Sequence, residues 1–271
     1  MTEKVNPSHP DKVADRIAGA LVDLAYLKQE NPRMAAEVLL GHGEALIIAE
    51  TSVHIETKEV KQIVDRITDN QIRDLTFKLV AQDPRLAENQ KNMMRCGDNG
   101  IFKGVPVTKE ERALADFVRA AYLKFPTDGK FILHNRHLTI CQSWAERNKI
   151  ERWVRNEMDP AMADTFVINP LGFWTGGLEV DSGATNRKLG SDMAQGVTGG
   201  GLHGKDLSKA DVAINIWCYM EAQRKGQPVE LSCSIGDEKV AGIYYSAIVE
   251  QARRFIDDLG GFERFAEWGL V

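Results

Sequence analysis

No apolar stretch in the 271 residues reaches the roughly 18 that a membrane-crossing helix needs, and Met1 leads into Thr-Glu-Lys with no apolar leader segment. Cysteine is scarce. Cys96, Cys141, Cys218 and Cys233 lie far apart with no Cys-x-x-Cys pair, which argues against a zinc ribbon and against a disulfide framework. Positive charge is not in excess: 34 Lys and Arg against 39 Asp and Glu leave a formal net charge of −5. A generally basic nucleic-acid coat is thereby excluded, although a local anion site is not. No short-period repeat and no low-complexity tract interrupts the chain. With 43% hydrophobic and 27% charged residues, the composition is that of an ordinary globular protein. A chain of this length buries about three quarters of its extended surface, enough to hold a core without disulfide or metal. The expectation is a soluble cytoplasmic protein with neither membrane nor nucleic acid as partner.

Helical and extended patterns alternate. Val13, Ile17, Leu21 and Leu24 predict a helix over 10–28, with Asp11 placed where the positive end of the helix dipole favours an acid. Residues 44–55 read as a strand, and Val60, Ile63, Val64 and Ile67 form an amphipathic helical stripe. The segment 81–107 is irregular, with Gly97-Asp98-Asn99-Gly100 as a turn or mobile loop. Thr108 and Glu111 make a capping box for a helix to about Lys124. A strand over 130–142, a helix near 146–157 and a strand at 165–169 follow. Ser208 and Asp211 suggest the start of a helix closed by Gly226; a strand at 229–235 and a helix at 241–258 end the pattern. The class is α+β, helices layered on sheets.

Chemistry concentrates in three places. Ser8-His9-Pro10-Asp11-Lys12 sets an imidazole, a carboxylate and an amine at a helix N-terminus. It reads either as an anion site or as a plain helix start, with Asp11 capping and Lys12 in solvent. Gly176-Gly177-Leu178-Glu179-Val180-Asp181-Ser182-Gly183 runs on to Arg187-Lys188. Gly199-Gly200-Gly201-Leu202-His203-Gly204-Lys205 runs on to Asp211. Seven glycines fall within the 31 residues 181–211, together with four cations and four anions and no Phe, Trp or Tyr. Backbone N–H groups brought close by glycine, with balanced charge, suit a metal-chelated polyphosphate better than a nucleic-acid groove. A solvated loop is the bland alternative. Gly204-Lys205 precedes Asp206, so this is not a Walker A loop.

These motifs, in this order, resemble methionine adenosyltransferase (S-adenosylmethionine synthetase) nearly end to end. His9-Pro10-Asp11-Lys12 is similar to the family's Gly-His-Pro-Asp-Lys, and Gly97-Asp98-Asn99-Gly100 to its Gly-Asp-Gln-Gly. Ile168-Asn169-Pro170 through Lys188 resembles its Asn-Pro…Gly-Gly…Asp…Gly…Arg-Lys stretch. Gly204-Lys205-Asp206-Leu207-Ser208-Lys209-Ala210-Asp211 resembles its Gly-Lys-Asp-x-Ser-Lys-x-Asp. Departures are a chain shortened between Lys130 and Asn169 and at the C-terminus, Ser8 for glycine, Leu202-His203 for a longer element, and Cys96 before Gly97.

The resemblance implies three interleaved α/β units related by pseudo-threefold symmetry, here with approximate extents 1–100, 101–172 (the shortened one) and 173–271. It implies attack of methionine sulfur on C5′ of ATP, release of triphosphate, and hydrolysis to pyrophosphate and phosphate. By matched position His9, Lys130, Arg187 and Lys205 are catalytic. Those four with Asp128, Phe173 (stacked on adenine), Asp181, Lys188 and Lys209 hold ATP. Glu50, Gln82, Asp98, Asp181 and Lys209 hold methionine. Asp11 and Asp211 hold two Mg²⁺, and Glu37 a K⁺. The partners implied are ATP, L-methionine and a second subunit, in a homodimer that shares its active sites across flat sheets, alone or paired into a tetramer. A regulatory nucleotide-binding paralogue or a tripolyphosphatase is the alternative; the intact polar set speaks against the first, and retention of Phe173, Asp181 and Asp98 against the second.

Overall fold

A four-stranded sheet of Asp74–Ala81, Glu44–Thr51, Met34–Gly41 and Ser182–Ala184, in that order, carries one side of the site, and a second, of Thr2–Val5, Gly129–His134, His137–Gln142 and Thr165–Ile168, carries the other. In the computed structural model, which describes residues 1–88 and 94–271, the chain runs β1 (Thr2–Val5), α1 (Pro10–Lys28), β2 (Met34–Gly41), β3 (Glu44–Thr51), α2 (Thr57–Thr68), β4 (Asp74–Ala81), α3 (Pro84–Glu88) and β5 (Gly100–Gly104). It continues through α4 (Lys109–Lys124), β6 (Gly129–His134), β7 (His137–Gln142), α5 (Arg147–Glu157), β8 (Thr165–Ile168), β9 (Ser182–Ala184) and α6 (Leu189–Met193). It closes with α7 (Ala210–Lys225), β10 (Val229–Cys233), β11 (Lys239–Val240), β12 (Ile243–Tyr244), α8 (Tyr245–Leu259) and α9 (Phe262–Trp268). The fold is α+β and interleaved: N-terminal β1 joins the sheet of β6, late β9 joins β2, and β5 pairs with β10. Part of the segment 81–107, residues 89–93, lies outside the described residues.

α1 is buried on nearly every side, including Ile17, Leu21 and Ala25, and it packs against β2, β9, α2 and α9. A helix that central needs apolar or paired residues all round. One core gathers α1, the inner faces of β2 and β3, α7 and α8; a smaller one joins α4, α5, β6 and β7 around Phe131, Leu138 and Val154. No helix among the described residues is long and apolar enough to cross a membrane.

Local signals hold at α1, α2, α5 and α4, where Thr108 and Glu111 make the capping box. Gly226 closes α7 at φ 65°. Four expectations are corrected. Residues 130–142 form a hairpin, because Asn135 (φ 48°) and Arg136 (φ 60°) both turn left-handed; without a glycine, the two-residue turn gave no sequence signal. The strand begun at Glu44 stops at Thr51, while β2 and β4 on either side of it went unpredicted, since Met-Ala-Ala and lysine-bearing stretches become strands through their neighbours. Ser208 does not cap α7: Lys209 is the N-cap and makes no side-chain cap bond, while the Ser208 carbonyl accepts from Tyr245 at 2.9 Å. The helix expected over 241–258 is α8 and begins at Tyr245, because 239–244 makes a small hairpin turning at Ala241 and Gly242, and the short α9 after it went unpredicted.

Candidate active site

The edge of β2 organises the site. Toward its C-terminal end it pairs with β9, Leu39 opposite Ala184. Toward its N-terminal end it meets the second glycine-rich segment: Ala35 bridges Lys205, the Ala36 N–H donates to the Gly204 carbonyl at 2.7 Å, and the Met34 N–H donates to Asp206 Oδ2 at 2.8 Å. Ala35 and Leu39 are four positions apart along the strand, about 13 Å at the rise of a β-strand. The segments are tied across the gap, Asn186 Oδ1 accepting the His203 N–H at 2.8 Å and Nδ2 donating to its carbonyl at 3.2 Å.

The first group centres on Asp11. Its Oδ1 accepts the Ala184 N–H at 2.9 Å and its Oδ2 the Lys188 ammonium at 2.6 Å, with Arg187 3.6 Å away. Burial alone would raise this carboxyl, but Lys188 and the Ala184 N–H overcome it and hold the pKa below the usual range. Gly183 is what permits the approach: a Cβ there would lie 2.1 Å from the Pro10 backbone. His9 caps α1, its Nδ1 accepting the Asp11 N–H at 3.2 Å. Burial first, then Lys188, brings its pKa down to about 4, so the ring is neutral. Lys130 lies within the electrostatic reach of His9 and ion-pairs with Glu3 at 2.9 Å. Asp128 is buried and accepts the Gly177 N–H at 3.1 Å; burial foremost, with Asp181 and Asp11 adding to it, raises it to about 6. Asp181 is exposed and accepts the Ser182 N–H.

The second group holds Asp98, Lys205, Lys209 and Asp211. Lys205 Nζ lies 2.5 Å from Asp211 Oδ2. Gly200 leaves room for that carboxylate, since a Cβ there would lie 2.3 Å from Oδ2. Asp98 faces Asp211, Lys209 and Lys205; burial and then Asp211 raise its pKa, and its Oδ2 is buried with no hydrogen-bond partner. Beside it the thiols of Cys96 and Cys233 lie 3.2 Å apart, Cys96 Sγ 3.1 Å from the Asp98 carbonyl. Spacing gave no hint of that meeting across 137 residues.

Other candidates lie apart from both groups. Glu50 is exposed on the outer face of β3, the face that also carries Leu46 and Ile48. Gln82 follows β4 and keeps a buried Oε1 without a partner. Glu37 on β2 is exposed and accepts a hydrogen bond from the Thr185 hydroxyl. Phe173 is exposed and meets Trp144 edge to face.

Lys12 corrects the plain helix-start reading, in which it was solvated. It is fully buried, donating to Asp192 at 2.7 and 2.8 Å and to Asp15 at 3.1 Å, with His203 2.9 Å from Asp192. Asp15, Asp192 and His203 could by geometry hold a metal, but the Lys12 ammonium already satisfies them. Sequence reasoning missed this cluster because its partners sit on three distant segments. What it does is brace α1, α6 and the His203 turn beneath both groups.

Residues 1–94 match the S-adenosylmethionine synthetase N-terminal domain family. The S-adenosylmethionine synthase of Thermosynechococcus vestitus is 25% identical over 285 residues, spanning 78% of this chain and 68% of its own length. That of Acholeplasma laidlawii is 28% identical over 294 residues, spanning 86% and 76%. Among solved structures, an unusual S-adenosylmethionine synthetase from Campylobacter jejuni superposes with a TM-score of 0.75 at 18% identity, over 100% of this chain and 93% of that one. At that identity the structural match speaks for a shared fold.

Proposed function

We propose that this chain, which resembles the S-adenosylmethionine synthetases, makes S-adenosylmethionine in the cytoplasm from ATP and L-methionine. The observation that carries the reading is the pair of lysine-neutralised carboxylates, Asp11 with Lys188 and Asp211 with Lys205, held by two glycine-rich segments on one sheet edge. Such a set can exchange its internal ion pairs for a metal-chelated triphosphate with little change of net charge.

The thioether of methionine is a nucleophile without a proton to lose, so the protein supplies alignment and charge stabilisation and needs no general base. Arg187, Lys188, Lys205 and Lys209 bind phosphate oxygens. His9 is neutral, so it can donate one hydrogen bond to the bridging oxygen while its Nδ1 stays on the Asp11 N–H. Lys130, released from Glu3, stabilises the same leaving oxygen. Phe173 borders adenine and Asp181 contacts ribose. Asp98 meets the methionine ammonium, for which its orphaned Oδ2 is a ready acceptor. Once sulfur has attacked, the triphosphate still held by the same cations is hydrolysed to pyrophosphate and phosphate.

The donor chemistry also fits the cations: Asp11 and Asp211 offer carboxylate oxygens of the hard type that magnesium takes, and Glu37 with the Thr185 hydroxyl offers oxygens for potassium. Magnesium held by these carboxylates would supply positive charge to offset that of the leaving triphosphate.

A second subunit belongs to the reading. The outer face of the β4-β3-β2-β9 sheet exposes Leu39, Leu46 and Ile48 among Glu37, Glu50 and Lys78, and adjoining exposed apolar residues mark an interaction surface. Pairing two such faces in a homodimer would bring Glu50 and Gln82 of one copy toward the phosphate groups of the other.

The test is incubation of purified protein with ATP, Mg²⁺, K⁺ and methionine, followed by mass detection of S-adenosylmethionine. Product formation with equal release of pyrophosphate and phosphate is expected. Phosphate release from tripolyphosphate with no S-adenosylmethionine would leave a tripolyphosphatase; nucleotide binding without turnover would leave a regulatory protein.

A further inference from the structure

Trp144 is held where a tryptophan has no local reason to be. Its backbone is left-handed, at φ 53°, a conformation that costs a bulky residue free energy and persists only where its surroundings enforce it. Two hydrogen bonds enforce it: the backbone N–H donates to the Trp174 carbonyl at 3.1 Å, and the indole Nε1–H donates to the Gly176 carbonyl at 3.2 Å. Both polar atoms are therefore satisfied inside the protein. The ring is nonetheless 52% exposed, and Phe173, 59% exposed, meets it edge to face with centroids 6.2 Å apart at 85°. Neither ring belongs to a hydrophobic core.

Trp144 also lines a cavity of about 580 Å³, together with Ser8, Asp128, Gly176, Gly177 and Leu178, a volume in the range that small-molecule sites occupy. The cavity adjoins the first phosphate group. Ser8 precedes His9, and the Asp128 carboxyl feels the charges of Asp11, Lys130 and Asp181. An aromatic face fixed in place, half open to solvent and set beside an anion site, is the arrangement that binds a flat heteroaromatic ring carrying phosphates.

We infer that Trp144 is a specificity-determining wall of the base subsite, stacking on the purine of a nucleoside triphosphate whose phosphates lie on the Asp11–Lys188 group. The inference rests on the nucleotide reading above and adds a residue which the family resemblance did not supply. Anchoring of the indole by Gly176 and of the backbone by Trp174 makes the wall preformed, so stacking does not first have to order the side chain. Phe173, set at 85° to the indole, meets the edge of the same base.

The experiment compares ATP with tripolyphosphate, which has the phosphates and lacks the base. Binding of each is measured by calorimetry to wild-type protein, Trp144→Ala and Trp144→Phe, with circular dichroism to verify folding. The expected result is about a tenfold weaker Kd for ATP in Trp144→Ala, an unchanged Kd for tripolyphosphate, and near-recovery of ATP binding in Trp144→Phe, which keeps an aromatic face. ATP should also quench wild-type tryptophan fluorescence, and that quench should disappear in Trp144→Phe. Equal weakening of both ligands, or no weakening of either, overturns the wall while leaving the nucleotide reading intact. If wild-type protein binds tripolyphosphate and ATP with the same affinity and without quenching, no base is read and the inference falls. If it binds neither, the nucleotide reading falls first.

Discussion

Lys12 donates to both oxygens of Asp192, at 2.7 and 2.8 Å, across 180 residues of sequence. Both groups are fully buried. Burial lowers the pKa of a lysine, yet Asp192 and Asp15 outweigh it and hold Lys12 above its ordinary value; Asp192 is held far below the carboxylate range despite its burial. Removing one partner would strand a buried charge. Lys12→Met is expected to cost about 3–5 kcal/mol in urea unfolding, and a loss under about 1 kcal/mol would show that water replaces the pair.

Asp128 makes stability fall with rising pH. Its carboxyl titrates near 3.9 when unfolded and at about 6 in the folded chain. Between these values the native state holds more protons, so raising the pH through that window weakens the fold, by about 3 kcal/mol once it is passed. Asp128→Asn keeps an acceptor for the Gly177 N–H and removes the ionisation. Its urea midpoint should change less than that of wild type from about pH 4 to about pH 6, and should be higher near neutrality. Parallel curves for the two proteins would refute the assignment.

Asp11 and Asp211 are proposed to hold magnesium on the triphosphate. Asp11→Asn and Asp211→Asn should each lower kcat by about 100-fold or more and raise the magnesium needed for half-maximal rate, with circular dichroism unchanged. Near-normal turnover in either variant would remove that residue from the metal set.

Asp98 presents its unpartnered Oδ2 beside Lys209 and Asp211. Asp98→Ala should raise KM for methionine about tenfold, roughly 1.4 kcal/mol, and leave KM for ATP nearly unchanged. A shift confined to ATP would move the methionine site elsewhere.

Sequence alone determined what depends on neighbours within a few residues. The capping pair Thr108–Glu111, the Gly226 stop, the apolar stripes of α1 and α2, and the glycine-rich segments with their interleaved charges all act over one or two helical turns. The tertiary structure decided the rest. Asn135-Arg136 became a hairpin turn because the strands on either side pair, and α7 starts one residue beyond the expected cap, with Lys209 and not Ser208 at its N-cap. Lys12 left solvent for Asp15 and Asp192, Cys96 met Cys233, and Trp144 was pinned open by the Trp174 and Gly176 carbonyls. Each of those contacts joins residues that chain spacing leaves uncorrelated. Burial then decides their chemistry, because a charge removed from water must be met by whichever partner the fold delivers.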